Sequence, residues 1–82
     1  MLSRATIHHD VAAILQARNP RITLTPGMPL GAEGLGLDSI AIVEVLLECE
    51  ERFGVVLAAE LLSSPNLTVD ALLERVRVLV ET

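Results

Sequence analysis

The chain predicts an all-α fold, a four-helix bundle of three main helices and a short third one, with a long loop between helices 1 and 2. Three observations carry this. Apolar residues recur at three- and four-residue steps in separate stretches of the chain. Three of the four prolines and four of the five glycines fall within one connection, residues 19–37. Phe53 is the only aromatic in a chain that is 51% hydrophobic, so the core has to be aliphatic.

Each element has its own signal. From about Ser3 to Arg18, the residues Ile7, Val11, Ile14 and Leu15 line one side of an amphipathic helix, and Pro20 ends it. The connection from Asn19 to Leu37 is longer than most in small domains, and loops of that length are often functional. Its spaced apolar residues, Ile22, Leu24, Met28, Leu30, Leu35 and Leu37, predict that it is pinned across the core. Asp38 to Phe53 is the clearest helix, free of Pro and Gly and closed by Gly54. A short turn or two follows at Ala58 to Leu62, then a break at Ser63-Ser64-Pro65-Asn66. Thr68 is a natural N-cap for a last helix running to about Val80. No repeat, linker or low-complexity tract is visible. Residues 1–82 are read as a single domain with one modest core and no room for an enclosed active site.

Composition removes several function classes. No apolar run approaches the roughly 20 residues of a membrane span, and Met1-Leu2-Ser3-Arg4 lacks the apolar stretch of a secretory signal. A soluble, cytoplasmic monomer is the expectation. Cys49 is the only cysteine, so no internal disulfide or CxxC metal pair exists, and its apolar helical surroundings suit a buried small hydrophobe. His8 and His9 are adjacent, about 100° apart on a helix, so they cannot chelate one metal together. No metal site is expected. No nucleophile–base pairing supports an enzyme, and none is expected.

Net charge is −5, and its placement matters more than its size. Between Asp38 and Glu60 there are six acids and one base, Arg52, whereas the rest of the chain balances five acids against five arginines. Such a field repels nucleic acid and anionic membrane and attracts basic protein surfaces.

The helix after Asp38 carries two apolar lines. Ile42, Val45, Leu46, Cys49 and Phe53 read as core. Ile40, Val43 and Leu47 form a second line beside the acids Glu44, Glu48 and Glu51. Two readings stand equal on pattern alone. Either the second line is a docking surface for another protein, or it packs under the long loop while Glu48 and Arg52 form an ordinary i,i+4 pair.

In Gly34-Leu35-Gly36-Leu37-Asp38-Ser39-Ile40 a serine stands at a helix start after a glycine-bearing turn. The structural reading is an N-cap, either Asp38 or Ser39. The functional reading is a phosphodiester on Ser39, favoured there by unpaired N–H groups and the helix dipole. A serine without a base is a poor nucleophile, so a separate enzyme would attach the group.

Gly36-Leu37-Asp38-Ser39-Ile40, with Val43-Glu44-Val45, Glu50-Glu51-Arg52-Phe53-Gly54-Val55 and Leu67-Thr68-Val69, resembles the acyl/peptidyl carrier protein family over nearly the whole chain. The resemblance implies 4′-phosphopantetheine on Ser39, transferred from coenzyme A by a Mg²⁺-dependent phosphopantetheinyl transferase, with Asp38 helping that enzyme bind. The arm's thiol would hold acyl, aminoacyl or peptidyl cargo as thioesters. The partners implied are an acyl- or aminoacyl-loading ligase and acyltransferase or synthase enzymes. Ile40, Val43, Glu44, Leu47, Glu48 and Glu51 match the family's partner-recognition helix, which tips the balance toward docking. The chain departs from the family in having Gly34 where an acid is common. It also has Val55-Val56-Leu57-Ala58-Ala59-Glu60 in place of a proline- and acid-containing segment, and no aromatic before the motif. These departures point away from standard fatty-acid synthase partners and toward specialised, polyketide- or nonribosomal-type metabolism, with the chain as a free-standing carrier. The alternative is an unmodified helical interaction adaptor with Ser39 as a plain cap.

Overall fold

The computed structural model describes residues 3–62 and 66–81. Four helices follow one another: α1 (Arg4–Arg18), α2 (Ser39–Phe53), α3 (Ala58–Leu61) and α4 (Val69–Glu81). No strand is present among the described residues; one isolated antiparallel bridge joins Pro29 and Thr68. The all-α expectation and the order of elements hold. The Ser63-Ser64-Pro65 break lies outside the described residues.

Local chemistry sets the helix ends. Ser3 caps α1, its hydroxyl accepting from the Thr6 amide at 3.1 Å. Gly54 closes α2 in the left-handed region, φ 68°, and donates its N–H to the Glu50 carbonyl at 2.8 Å. Thr68 caps α4, its Oγ1 accepting from the Ala71 amide at 3.3 Å.

The core is aliphatic, as composition requires. Ile7, Val11, Ile14 and Leu15 of α1 meet Val45, Leu46 and Cys49 of α2 and Val69, Leu72 and Val76 of α4. Leu30 and Leu35 from the long loop are fully buried in the same cluster, with Ile22, Leu24, Met28 and Leu37 packed against it, so the loop is pinned as expected. Ile42 and Phe53, read from the pattern as core, are only half-buried at its margin. Ile42 lines a groove, and Phe53 is the last residue of its helix.

The segment after Gly54 divides its three apolar residues by role. Leu57 is buried, Val55 half-buried and Val56 exposed, so the aliphatic run here anchors α3 mainly through Leu57. Glu50 completes the anchor. Its carboxylate accepts from the Leu57 amide at 2.7 Å and the Ala58 amide at 2.8 Å, while its carbonyl takes Gly54 and Val55. The Ala58 and Leu57 hydrogen bonds hold the Glu50 carboxyl below the usual carboxylate range.

Candidate functional site

The loop before α2 folds back on itself. The Gly31 carbonyl accepts from Gly34 at 3.0 Å and Gly36 at 2.8 Å, the Pro29 carbonyl accepts from Leu35, and Leu37 donates to Leu30. Asn19, just past α1, donates its side-chain amide to the Leu35 carbonyl at 3.0 Å. Two glycines are required. Gly36 has φ 78°, where a side chain is strained. A Cβ on Gly34 would lie 2.1 Å from the Pro29 carbonyl oxygen, so the acid common in similar chains has no space here.

This turn delivers the chain to α2 in extended backbone at Asp38, φ −79° and ψ 176°. Asp38, not Ser39, is the cap: its Oδ1 accepts from the Ala41 amide at 2.7 Å and its carbonyl from Ile42 at 3.0 Å. Ser39 occupies the first helical position and is exposed, and its hydroxyl has no hydrogen-bond partner among the described residues. The amides of Ser39 and Ile40 are likewise without partners there. A phosphodiester on this hydroxyl would meet two free N–H groups and the positive end of a four-turn helix, so the residues present fit the group. No base lies in hydrogen-bond contact with the hydroxyl.

Ser39 borders an open groove of about 420 Å³. Pro29, Gly31, Ala32 and Glu33 line it from the loop, Ile42 and Val43 from α2, and Leu61 and Leu62 from the end of α3, with Asn66 and Leu67 completing it. Because α3 has only four residues, the position of its part of the lining depends on Glu50 and on the burial of Leu57.

The second apolar line of α2 is not packed under the loop. Ile40 is 71% exposed and Leu47 49% exposed, while Val43 between them is half-buried in the groove. Glu44, Glu48 and Glu51 share the helix and are exposed. The local pairing of Glu48 with Arg52 does not form. Glu48 instead meets Arg18 of α1 at 2.7 Å, Glu44 meets the same guanidinium at 2.9 Å, and Arg52 lies 3.7 Å from Asp10. The Arg18 pKa is raised, chiefly by its hydrogen bond to Glu48. Glu51 has no ion-pair partner among the described residues. Sequence reasoning missed the parts played by Arg18 and Glu50. Arg18 reaches across 26 and 30 residues, a pairing that no local spacing encodes. For Glu50 the signal was its place one helical turn before Gly54.

The other reactive side chains stand elsewhere. Cys49 is fully buried, and burial, helped by the charge of Glu48, pushes its thiol up to about 12. His8 lines a separate small groove with Asp70, Glu74 and Arg77, away from Ser39, and His9 is exposed. No helix of the described residues is long and apolar enough to cross a membrane.

The family described as "Phosphopantetheine attachment site" matches the chain over residues 6–76 of 82. No curated protein and no solved structure matches it significantly. The family match extends from the first helix through the loop and α2 into α4. The chain therefore belongs to the phosphopantetheine-attachment family, whose members are non-catalytic carriers that bear 4′-phosphopantetheine covalently and work with a phosphopantetheinyl transferase and with synthase or ligase enzymes.

Proposed function

We propose that Ser39 is the attachment point and that the chain carries acyl, aminoacyl or peptidyl cargo. One observation supports Ser39 above all: its hydroxyl is exposed and uncommitted because Asp38 performs the capping that a helix-start serine usually performs. The arm supplies a thiol on which cargo is held as an activated thioester. The protein's own residues present the hydroxyl, leave two amides free for the phosphodiester and supply a docking face. With no base of its own, Ser39 depends on the transferase to take up its proton.

The docking face we assign is the exposed side of α2, with Ile40, Val43 and Leu47 as its apolar line and Glu51 at its rim. Glu44 and Glu48 lie on the same helix, already held by Arg18. The aliphatic segment around Val56, and Gly34 where an acid would clash, support service in a specialised polyketide- or nonribosomal-type pathway more than with a general fatty-acid synthase.

The test is intact-protein mass after incubation with coenzyme A, Mg²⁺ and a broad-specificity phosphopantetheinyl transferase, beside a Ser39→Ala control. Addition of one phosphopantetheine to the wild type alone is the expected result. Addition to the control as well would move the site. No addition to a folded sample, with the cognate transferase also failing, would leave an unmodified helical adaptor using the same α2 face.

A further inference from the structure

Six acids between Asp38 and Glu60 should make this part of the molecule strongly negative, yet the fold gives five of the six a partner of its own. Arg18 projects from the last turn of α1 and forks, Nη1 to Glu44 at 2.9 Å and Nη2 to Glu48 at 2.7 Å. The Glu50 carboxylate is turned to the Leu57 and Ala58 amides. Glu60 meets Arg75 at 2.9 Å, and Asp38 caps α2. Glu51 is the acid in this stretch with no such contact among the described residues. Next to these answered charges, large aliphatic side chains lie uncovered: Ile40, Leu47 and, across the groove, Leu62 at 49% exposed.

We propose that Arg18 is a specificity-determining residue for docking on α2: by holding Glu44 and Glu48 it lowers the negative charge of that face, so the face selects partner enzymes that present an apolar patch over those that present a basic one. This rests on the carrier reading above. A basic side chain arriving from a partner has to share each carboxylate with a guanidinium that is already seated. Arg18 also reduces the charge of the group it forms with Glu44 and Glu48 from two negative charges to one. Besides Glu51, what remains uncommitted is apolar contact, which salt does not screen, so recognition here is weakly salt-dependent.

The experiment measures kcat and KM for phosphopantetheinylation of the apo chain by a broad-specificity transferase, at low and at moderate NaCl. It compares wild type, Arg18→Gln and Arg18→Met, the last keeping an apolar stem without the charge. The Kd of the transferase for each chain is the second readout, and circular dichroism confirms the fold. Both Arg18 variants should lower KM and Kd at low salt by about two- to fivefold, with kcat unchanged, and should lose the gain as salt rises. The wild type should change little with salt, and Leu47→Ser should weaken binding at both salt levels. A steep salt dependence in the wild type, with no gain in either Arg18 variant, would overturn the proposal while leaving the carrier function intact. If neither the wild type nor any variant is modified, with the cognate transferase also failing, the carrier reading itself fails and this proposal falls with it.

Discussion

At the start of α4 each of the first four amides has a partner, whereas at the start of α2 only two do among the described residues. In α4 the Val69 amide donates to the Met28 carbonyl at 2.9 Å and Asp70 to the Pro26 carbonyl at 2.9 Å. Ala71 is taken by the Thr68 hydroxyl and Leu72 by the Thr68 carbonyl. In α2 Asp38 serves Ala41 and Ile42, and the Ser39 and Ile40 amides stay open. Among the described residues helix α1 shows the same pattern, with Ser3 serving Thr6 and Ile7, so two amides without partners are what an undocked helix start normally leaves. What sets α2 apart is a serine in its first turn, relieved of capping and placed beside a groove. The long loop is locked onto one helix start and led past the other.

The comparison can be broken most severely at Ser39. Ser39→Ala should abolish loading completely by intact mass, while far-ultraviolet circular dichroism and the thermal midpoint stay close to wild type. A large loss of helicity would mean that the hydroxyl has a structural duty after all. Next in size is Gly34→Ala. A methyl cannot sit 2.1 Å from a carbonyl oxygen, so the turn must shift, at a cost of about 1–3 kcal/mol in a denaturant titration. Its loading rate should also fall, because the same turn aims Asp38 and Ser39.

A finer contrast lies between the two caps. Asp38→Ala should cost about 1 kcal/mol, since no other described group serves the Ala41 amide. Thr68→Ala should cost less, about 0.5 kcal/mol, because its contact is longer and loop carbonyls hold the neighbouring amides. Equal losses would show that the loop carbonyls contribute little.

The smallest effect concerns pH at the far end of α2. The folded-state pKa of Glu50 is depressed by the Ala58 and Leu57 amides. Its contribution to stability is therefore full above the ordinary carboxylate value and disappears as pH falls through the lower folded-state value. Glu50→Gln should lower the thermal midpoint at neutral pH, and the gap from wild type should close in acid. A gap that persists in acid would assign the effect to shape and not to charge.

Much of this arrangement was legible in the sequence because it depends on local rules. Pro20, Gly54 and Thr68 mark helix ends through backbone chemistry that acts within a few residues, and the structure places the ends there. The aliphatic core followed from three-and-four spacing. Ser39 stands out as a candidate because a short motif opens a helix at a definite distance from Glu50 and Gly54. The choice between Asp38 and Ser39 as cap was not legible, since both residue types cap well and only the approach of the chain decides. The fate of the acids was not legible either. Spacing offered Glu48 the nearby Arg52, but packing α1 against α2 brought Arg18 to it and turned Arg52 toward Asp10. Nor does the pattern explain Gly34, whose side-chain space is occupied by the Pro29 carbonyl.

The seam between Pro29 and Thr68 makes two distant stretches of chain a single cooperative unit. The loop cannot loosen unless α4 gives up the partners of its first two amides, and α4 cannot fray from its start without releasing the loop. In hydrogen exchange, the Leu30, Val69 and Asp70 amides should therefore open together, at a free energy closer to global unfolding than to surface fluctuation. Damage to the last helix would then disturb the presentation of a serine it does not touch.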